Sequence, residues 1–434
     1  MSRSLPARMF IAVAFLLGSI NVLYNVVFYI FLILAFLVNV KMDFRGFVHN
    51  LCKEWKYILL PLVGCVYLTI HYLCTLDCSL YAAYRPSWSS VELLLLYFFM
   101  IPLYVLSVRN FVTPLLLKKA LSALCWGILL LNFVKLFYVA GLTLFTHPLM
   151  ALNTLYTGRF GENMAFLGGF VYLEPQAIYL VISALISYFF ILKQIRVKDS
   201  KRFVAGCVFV FVFSLLFLSF TVTKGAILSF IGGVVVLSIA YLRRISPWVP
   251  WAFLVVFLLL LFGTWFFLPH AYVNRIEEME REIESVQRGE FAGATISSRA
   301  GIIKENMQHF HQFAWFGLGV YKKAMTNEWY KNSPYIDVVV TNAHNSFLEF
   351  WLRWGIGGVL YLFYFFFAPV IRMLRQKKGV YLTLACIIAL CIGNSTSILI
   401  ILVDSSPFVI LFLAMGYFYN DIFYQLQETE ITSA

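Results

Sequence analysis

Runs of about twenty apolar residues recur along almost the whole chain, and few other features limit a fold so sharply. A soluble domain cannot hide that much apolar surface, whereas a helix of this length spans a bilayer's hydrocarbon core. Of the 434 residues 62% are hydrophobic and only 12% charged. The reading is an all-α polytopic membrane protein, residues 1–434 forming a single integral membrane domain. Backbone polar groups in lipid must be satisfied within each span, which favours helices. About twelve spans are expected: roughly 8–23, 24–40, 57–74, 91–107, 120–141, 165–192, 203–220, 225–242, 248–268, 345–370, 380–397 and 406–420. No small-residue cleavage site follows the first apolar run, so it reads as retained spans rather than a signal peptide.

The formal charge of +12 would suggest nucleic acid if it were evenly spread. Instead the cations cluster in alternate loops: Lys41, Arg45, Lys53 and Lys56; Arg109, Lys118 and Lys119; Lys193, Arg196, Lys198, Lys201 and Arg202; Arg243 and Arg244; Arg372, Arg375, Lys377 and Lys378. The connections between them carry chiefly Arg85, Arg159 and Lys224. This is the asymmetry of the positive-inside rule. It places both termini in the cytoplasm and requires an even number of spans. Nucleic acid is not an expected partner. The eight cysteines mostly fall inside apolar runs, where Cys serves as a small hydrophobe; Cys74 and Cys78 could approach one another near a helix end, a disulfide there being the minor reading.

One large polar segment, 269–343, then lies on the outer face between spans nine and ten. Its opening, "NRIEEMEREIESVQRGE", reads as a solvated surface helix. It closes on "TNAHNSFLEFWLRWGIGG", where His344 stands at the lip of span ten. At about 100° per residue, Gly355 lies about 20° from His344 around a helix and Gly358 about 40° the other way, with Trp351 on the same stripe. That pattern predicts a histidine above glycines that admit a close neighbouring helix. Thr341 or Asn342 would cap the helix start. A helix N-terminus disfavours an imidazolium, so His344 is expected neutral and able to accept a proton. The bland alternative is a histidine that anchors the helix at the interface.

Lys224 in "FTVTKGAILS", Arg299 in "SSRAG" and Arg159 in "TGRFG" are outer-face cations beside small residues. Singly each reads as an interfacial anchor; together they suit a diphosphate. Lys135 and Glu174 lie at membrane depth, where ionisable groups are costly; they form either a functional site or a mutual pair. Outer loops show no Asp-x-Asp or HExxH, and the chain has no Walker A or Rossmann glycine fingerprint, so neither a metal nor a cofactor is expected.

His344-Asn345, nine residues, then Gly355-x-x-Gly358 resembles the signature of the bacterial O-antigen ligase and O-antigen polymerase superfamily. "FTVTKGAILSFIGG" resembles that family's short basic loop, with Lys224 where arginine is usual. "SSRAGIIKENMQHFHQFAWFGLGV" resembles its large-loop stretch. The resemblance covers roughly 150–420 and implies a GT-C-like inner-membrane glycosyltransferase of lipopolysaccharide biosynthesis, with its active site at the periplasmic face. Its donor would be an undecaprenyl pyrophosphate-linked glycan, with inversion at the anomeric carbon. His344 would be the catalytic base, Arg299, Lys224 and Arg159 would bind pyrophosphate, and Asn345, Gly355 and Gly358 would support the helix. The acceptor would be the next lipid-linked repeat unit in a polymerase, or lipid A-core in a ligase. Glu174-Pro175 resembles a stretch of several polysaccharide polymerases and favours the first. The polymerase reading leaves room for a chain-length regulator as a partner. A lipid-linked sugar transporter or flippase without chemistry is the competing class, though no clear inverted repeat is evident.

Overall fold

A computed structural model describes residues 4–19, 25–141, 143–157, 173–194, 200–221, 223–242, 248, 270–289, 291, 296–336, 342–397, 399–402 and 405–428. The elements needed here are all helices: α1 (Ser4–Ser19), α2 (Asn25–Met42), α3 (Phe44–Thr75), α4 (Ser89–Phe111), α5 (Pro114–Ala140), α6 (Leu173–Lys193), α7 (Lys201–Thr221), α8 (Lys224–Leu242), α9 (His270–Gln287), α10 (Ile296–Gln308), α11 (Lys322–Asn332), α12 (Ser346–Gln376), α13 (Tyr381–Thr396), α14 (Ser406–Phe418) and α15 (Asn420–Glu428). Among the described residues seven helices are long and apolar enough to cross a membrane, eight where the pair α14–α15, bent by 78°, is counted as one broken span. Shorter apolar helices occupy Ser4–Ser19, Val26–Met42 and Tyr381–Thr396. The expected ninth span, 248–268, lies outside the described residues apart from Trp248. Several boundaries differ from the hydropathy reading. Helix α3 starts well before the expected 57, because Asp43 caps it by accepting from the Gly46 N–H at 2.9 Å. Within α4 the ladder widens to a π-helix over Leu93–Met100, next to Pro102, which offers no N–H and crowds the carbonyl four residues back.

Most of α6 is buried, so it forms the centre, and α7, α8 and α13 pack around it. Helices α1 and α5 meet backbone to backbone: a Cβ on Gly18 would come 2.5 Å from the Leu124 carbonyl, and one on Gly127 2.5 Å from that of Phe15. At one end Glu54, 7% exposed, takes Arg372 at 2.9 Å and Arg109 at 3.5 Å, tying α3, α4 and α12 together. Cys74 and Cys78 are free and exposed. Helix α9 carries an exposed Arg281–Glu277 pair, in keeping with a solvated helix.

At the other end lies a second, smaller apolar core. It joins Tyr81, Ile302, Phe313, Leu318, Tyr321 and Trp329 to the first turns of α12 through Ala343, Leu348 and Leu352. This outer layer positions the residues considered next.

Candidate active site

Helix α12 begins at Ser346, and its N-cap is Asn345 (φ −150°, ψ 119°), which accepts from Phe347 N–H at 2.9 Å and Leu348 N–H at 3.0 Å. The cap expected at Thr341 or Asn342 is therefore displaced. Asn342 serves one step earlier, its Oδ1 accepting from the His344 N–H at 3.2 Å. Asn345 also donates from Nδ2 to the Ser395 carbonyl at 2.9 Å. Ser346 anchors the same junction: its N–H donates to Ser397 at 3.1 Å and its Oγ to Asn394 Oδ1 at 2.7 Å. The helix start is thus pinned to the C-terminal end of α13.

His344 precedes this cap and is not helical, so the helical stripe drawn from it does not apply. Its φ is +47°, a left-handed conformation that costs a non-glycine residue about 1–3 kcal/mol unless its surroundings enforce it. The enforcement comes from both sides. Downstream is the Asn345 cap; upstream, the Ala343 N–H donates to Glu349 Oε2 at 3.1 Å.

Glu349 is fully buried, one turn inside α12. Its Oε1 receives Lys322 Nζ at 2.5 Å and Arg353 at 2.9 Å from NH2 and 3.0 Å from Nε. Arg353 NH1 continues to Ser90 Oγ at 2.5 Å, at the start of α4. Burial pushes the Lys322 ammonium below the usual lysine range, while the Glu349 carboxylate opposes that shift. Four elements meet at one carboxylate, and sequence reasoning did not single it out. The available signal was an acid and a base four residues apart inside an apolar run.

Below the network α12 breaks at Gly355 (φ +62°, ψ −153°), a region open essentially to glycine alone. The 314–318 segment enters the break and exchanges hydrogen bonds with it. Ile356 N–H donates to Ala314 O at 3.0 Å instead of continuing the helix, and the Leu352 carbonyl accepts from Leu318 N–H at 2.7 Å. Trp351 Nε1 donates to Ala314 O at 2.9 Å, and Tyr67 Oη to Phe316 O. A Cβ on Gly355 would lie 2.1 Å from Trp315 O, and one on Gly317 2.5 Å from Gly355 N. So the glycine expected to admit a neighbouring helix admits a loop instead. Gly358 faces its own helix across the bend, a Cβ there lying 2.5 Å from Phe350 O. Beside the break is an apolar cavity of about 400 Å³, lined by Leu60, Val63, Tyr67, Trp315, Phe316 and Trp354 among others.

Lys224 opens α8 and is half-buried. A Cβ on the adjoining Gly225 would lie 2.3 Å from Thr396 Oγ1, while Asn345 reaches Ser395. The end of α13 therefore gathers the Lys224 turn and the His344 turn at the same end of the bundle. Arg299 is half-buried in the first turn of α10, which packs on the Lys322 helix. Arg159 lies outside the described residues. Buried Lys135 donates to Gln176 Oε1 at 2.6 Å, and Gln176 in turn to Asn132 at 2.7 Å. The side chain of Glu174, its expected partner, also lies outside the described residues. Among the described residues no three His, Cys, Asp or Glu side chains are grouped to hold a metal ion.

Residues 209–363 are similar to the family model described as O-antigen ligase, in keeping with the resemblance to the O-antigen ligase and polymerase superfamily. The matched stretch takes in Lys224, Arg299, His344, Asn345, Gly355 and Gly358. No curated protein matches the chain.

Proposed function

We propose that the chain is an inverting glycosyltransferase of GT-C-like design, with twelve spans in the bacterial inner membrane and both termini cytoplasmic. The 269–343 segment forms a layer over its periplasmic face. The donor is an undecaprenyl pyrophosphate-linked glycan. An acceptor hydroxyl gives its proton to His344 as its oxygen forms the new bond to the anomeric carbon. The bond from that carbon to the pyrophosphate oxygen breaks, and the lipid pyrophosphate leaves as an anion. Lys224 and Arg299, with Arg159, offset that charge. The lipid carries the activation, so the reaction proceeds without metal or nucleotide. The observation that carries this reading is the backbone of His344, held left-handed between two anchored turns at the end of the bundle that also holds Lys224. Strained backbone of this kind collects at functional sites.

The acceptor we place first is the next lipid-linked repeat unit, which makes the protein a polymerase; Glu174-Pro175 supports it. Lipid A-core, making it a ligase, is the second reading and is favoured by the description of the matching family. The test is incubation of purified protein, in chelator and without nucleotide, with a lipid pyrophosphate-linked repeat unit. A ladder of longer lipid-linked glycans, reduced about 10²–10⁴-fold in His344→Ala, identifies a polymerase. Transfer only after lipid A-core is added identifies a ligase. Folded protein that forms neither product with authentic substrates overturns the reading in favour of a transporter.

A further inference from the structure

We infer that Glu349 is a positioning residue for His344, an inference that rests on the glycosyl-transfer reading above. Its two carboxylate oxygens have separate tasks. Oε1 is occupied by Lys322 and Arg353, which satisfy the buried charge. Oε2 faces the other way and accepts the N–H of Ala343, the residue immediately before His344. A carboxylate whose only task was to neutralise Lys322 and Arg353 would not need to reach the backbone of the preceding turn.

The bond matters because of where it falls. Ala343 is buried, and the left-handed turn begins at the next residue. On the far side Asn345 is tied to the helix N–H groups and to Ser395. With Glu349 in place, both flanks of His344 are fixed to rigid helices. Without it, the upstream flank loses its bond to α12. The carboxylate itself cannot drift, because Arg353 is held to Ser90 on α4 and Lys322 comes from the outer layer. The network therefore sets the position of the turn that carries His344 by reference to two other helices, α4 and α11. Glu349 touches no reacting atom; it acts through the turn it holds.

The experiment compares Glu349→Gln with Lys322→Met in the full-length protein. Glutamine keeps the volume of the side chain. Its amide oxygen is drawn to the cations, which leaves the amide NH2 against the Ala343 N–H, donor facing donor. The expected result is folded protein with KM for the lipid-linked donor within about twofold of wild type and kcat lower by about 100-fold, the size of loss that a displacement near 1 Å produces. Lys322→Met removes one of the two cations on Oε1 but leaves Arg353 and the Oε2 bond in place, so kcat should fall by no more than about tenfold, well short of the Glu349→Gln loss. Amide exchange at Ala343 should quicken in Glu349→Gln and remain slow in Lys322→Met. Wild-type kcat in folded Glu349→Gln overturns the inference. So does a parallel loss in both variants that follows only the folded fraction. Should Glu349→Gln fail to fold, the double variant Glu349→Gln with Lys322→Met removes the stranded lysine, and its kcat and exchange are read by the same criteria. His344→Ala in the same assay separates the two levels: wild-type turnover there removes the underlying reading, whatever Glu349 does.

Discussion

Replacing Gly355 by alanine tests the idea that α12 is broken to receive a loop. Alanine must adopt φ +62° and ψ −153°, which costs about 1–3 kcal/mol for a residue with a Cβ. That Cβ would sit 2.1 Å from Trp315 O, 2.4 Å from Trp315 C and 2.6 Å from Phe316 N. These are backbone atoms, and the carbonyls on either side of them, Ala314 and Phe316, are held by Ile356, Trp351 and Tyr67, so they cannot rotate away as a side chain would. Relief requires the segment to withdraw, at about 1–3 kcal/mol for the overpacking. The sum is about 2–6 kcal/mol. Two neighbouring glycines calibrate it. Gly357 has nothing within 4 Å of an added Cβ, and alanine there should be neutral or stabilise by up to about 1 kcal/mol through helix propensity. Gly358 is free of the φ penalty but close to Phe350 O at 2.5 Å and Trp354 Cβ at 2.8 Å, so its alanine variant should cost about 1–3 kcal/mol. Heating the three variants in detergent and following the folded fraction gives the order directly. If Gly355→Ala melts with Gly357→Ala, the break is not a requirement of the native fold and the argument fails.

Two further substitutions test the ends of the bundle. Asn345→Ala removes the cap of α12 and the bond to Ser395, and should lower stability by about 0.5–2 kcal/mol; Asn345→Asp, which can still cap, should lose less in the same melting assay. Glu54→Ala strands Arg109 and Arg372 at the opposite end. It should cost about 3 kcal/mol, the lower part of the range for a broken buried pair because both arginines keep some solvent contact, with Glu54→Gln intermediate and proteolysis or melting as the readout.

The helices were legible because apolar length is a local property: each run of hydrophobic residues announces a helix without reference to any other. The junction at His344-Asn345 was legible in part, as a polar turn ahead of an apolar helix. Its cap was misplaced because Thr341, Asn342 and Asn345 are all good capping residues, and only tertiary contacts with Ser395 and Ser397 choose among them. The spacing of Gly355 from Gly358 points to one face of a continuous helix. What breaks the helix is the 314–318 segment, and no local pattern connects the two. Glu349 escaped for a related reason. Beside Arg353 it looks like an ordinary pair on a helix face, and only Lys322, brought in from the outer layer, and the Ala343 N–H reveal its second use.

The hydrogen-bond exchange at Gly355 explains why the outer layer and the histidine should behave as one body. An intact helix would join Ile356 N–H to the Leu352 carbonyl. Here both groups are present and both are satisfied, but by Ala314 and Leu318 of the loop. The 346–354 half of α12 is therefore bonded to the 310–321 segment at the point where a continuous helix would bond to the half that follows it. Lys322, directly after that segment, grips Glu349, and Glu349 grips the turn that carries His344. A displacement of the outer layer cannot leave the histidine behind, because each link is a buried hydrogen bond or ion pair whose partner would be left unsatisfied. The loop inserted in the helix thus links whatever binds the outer layer to the position of the group proposed to take the acceptor's proton.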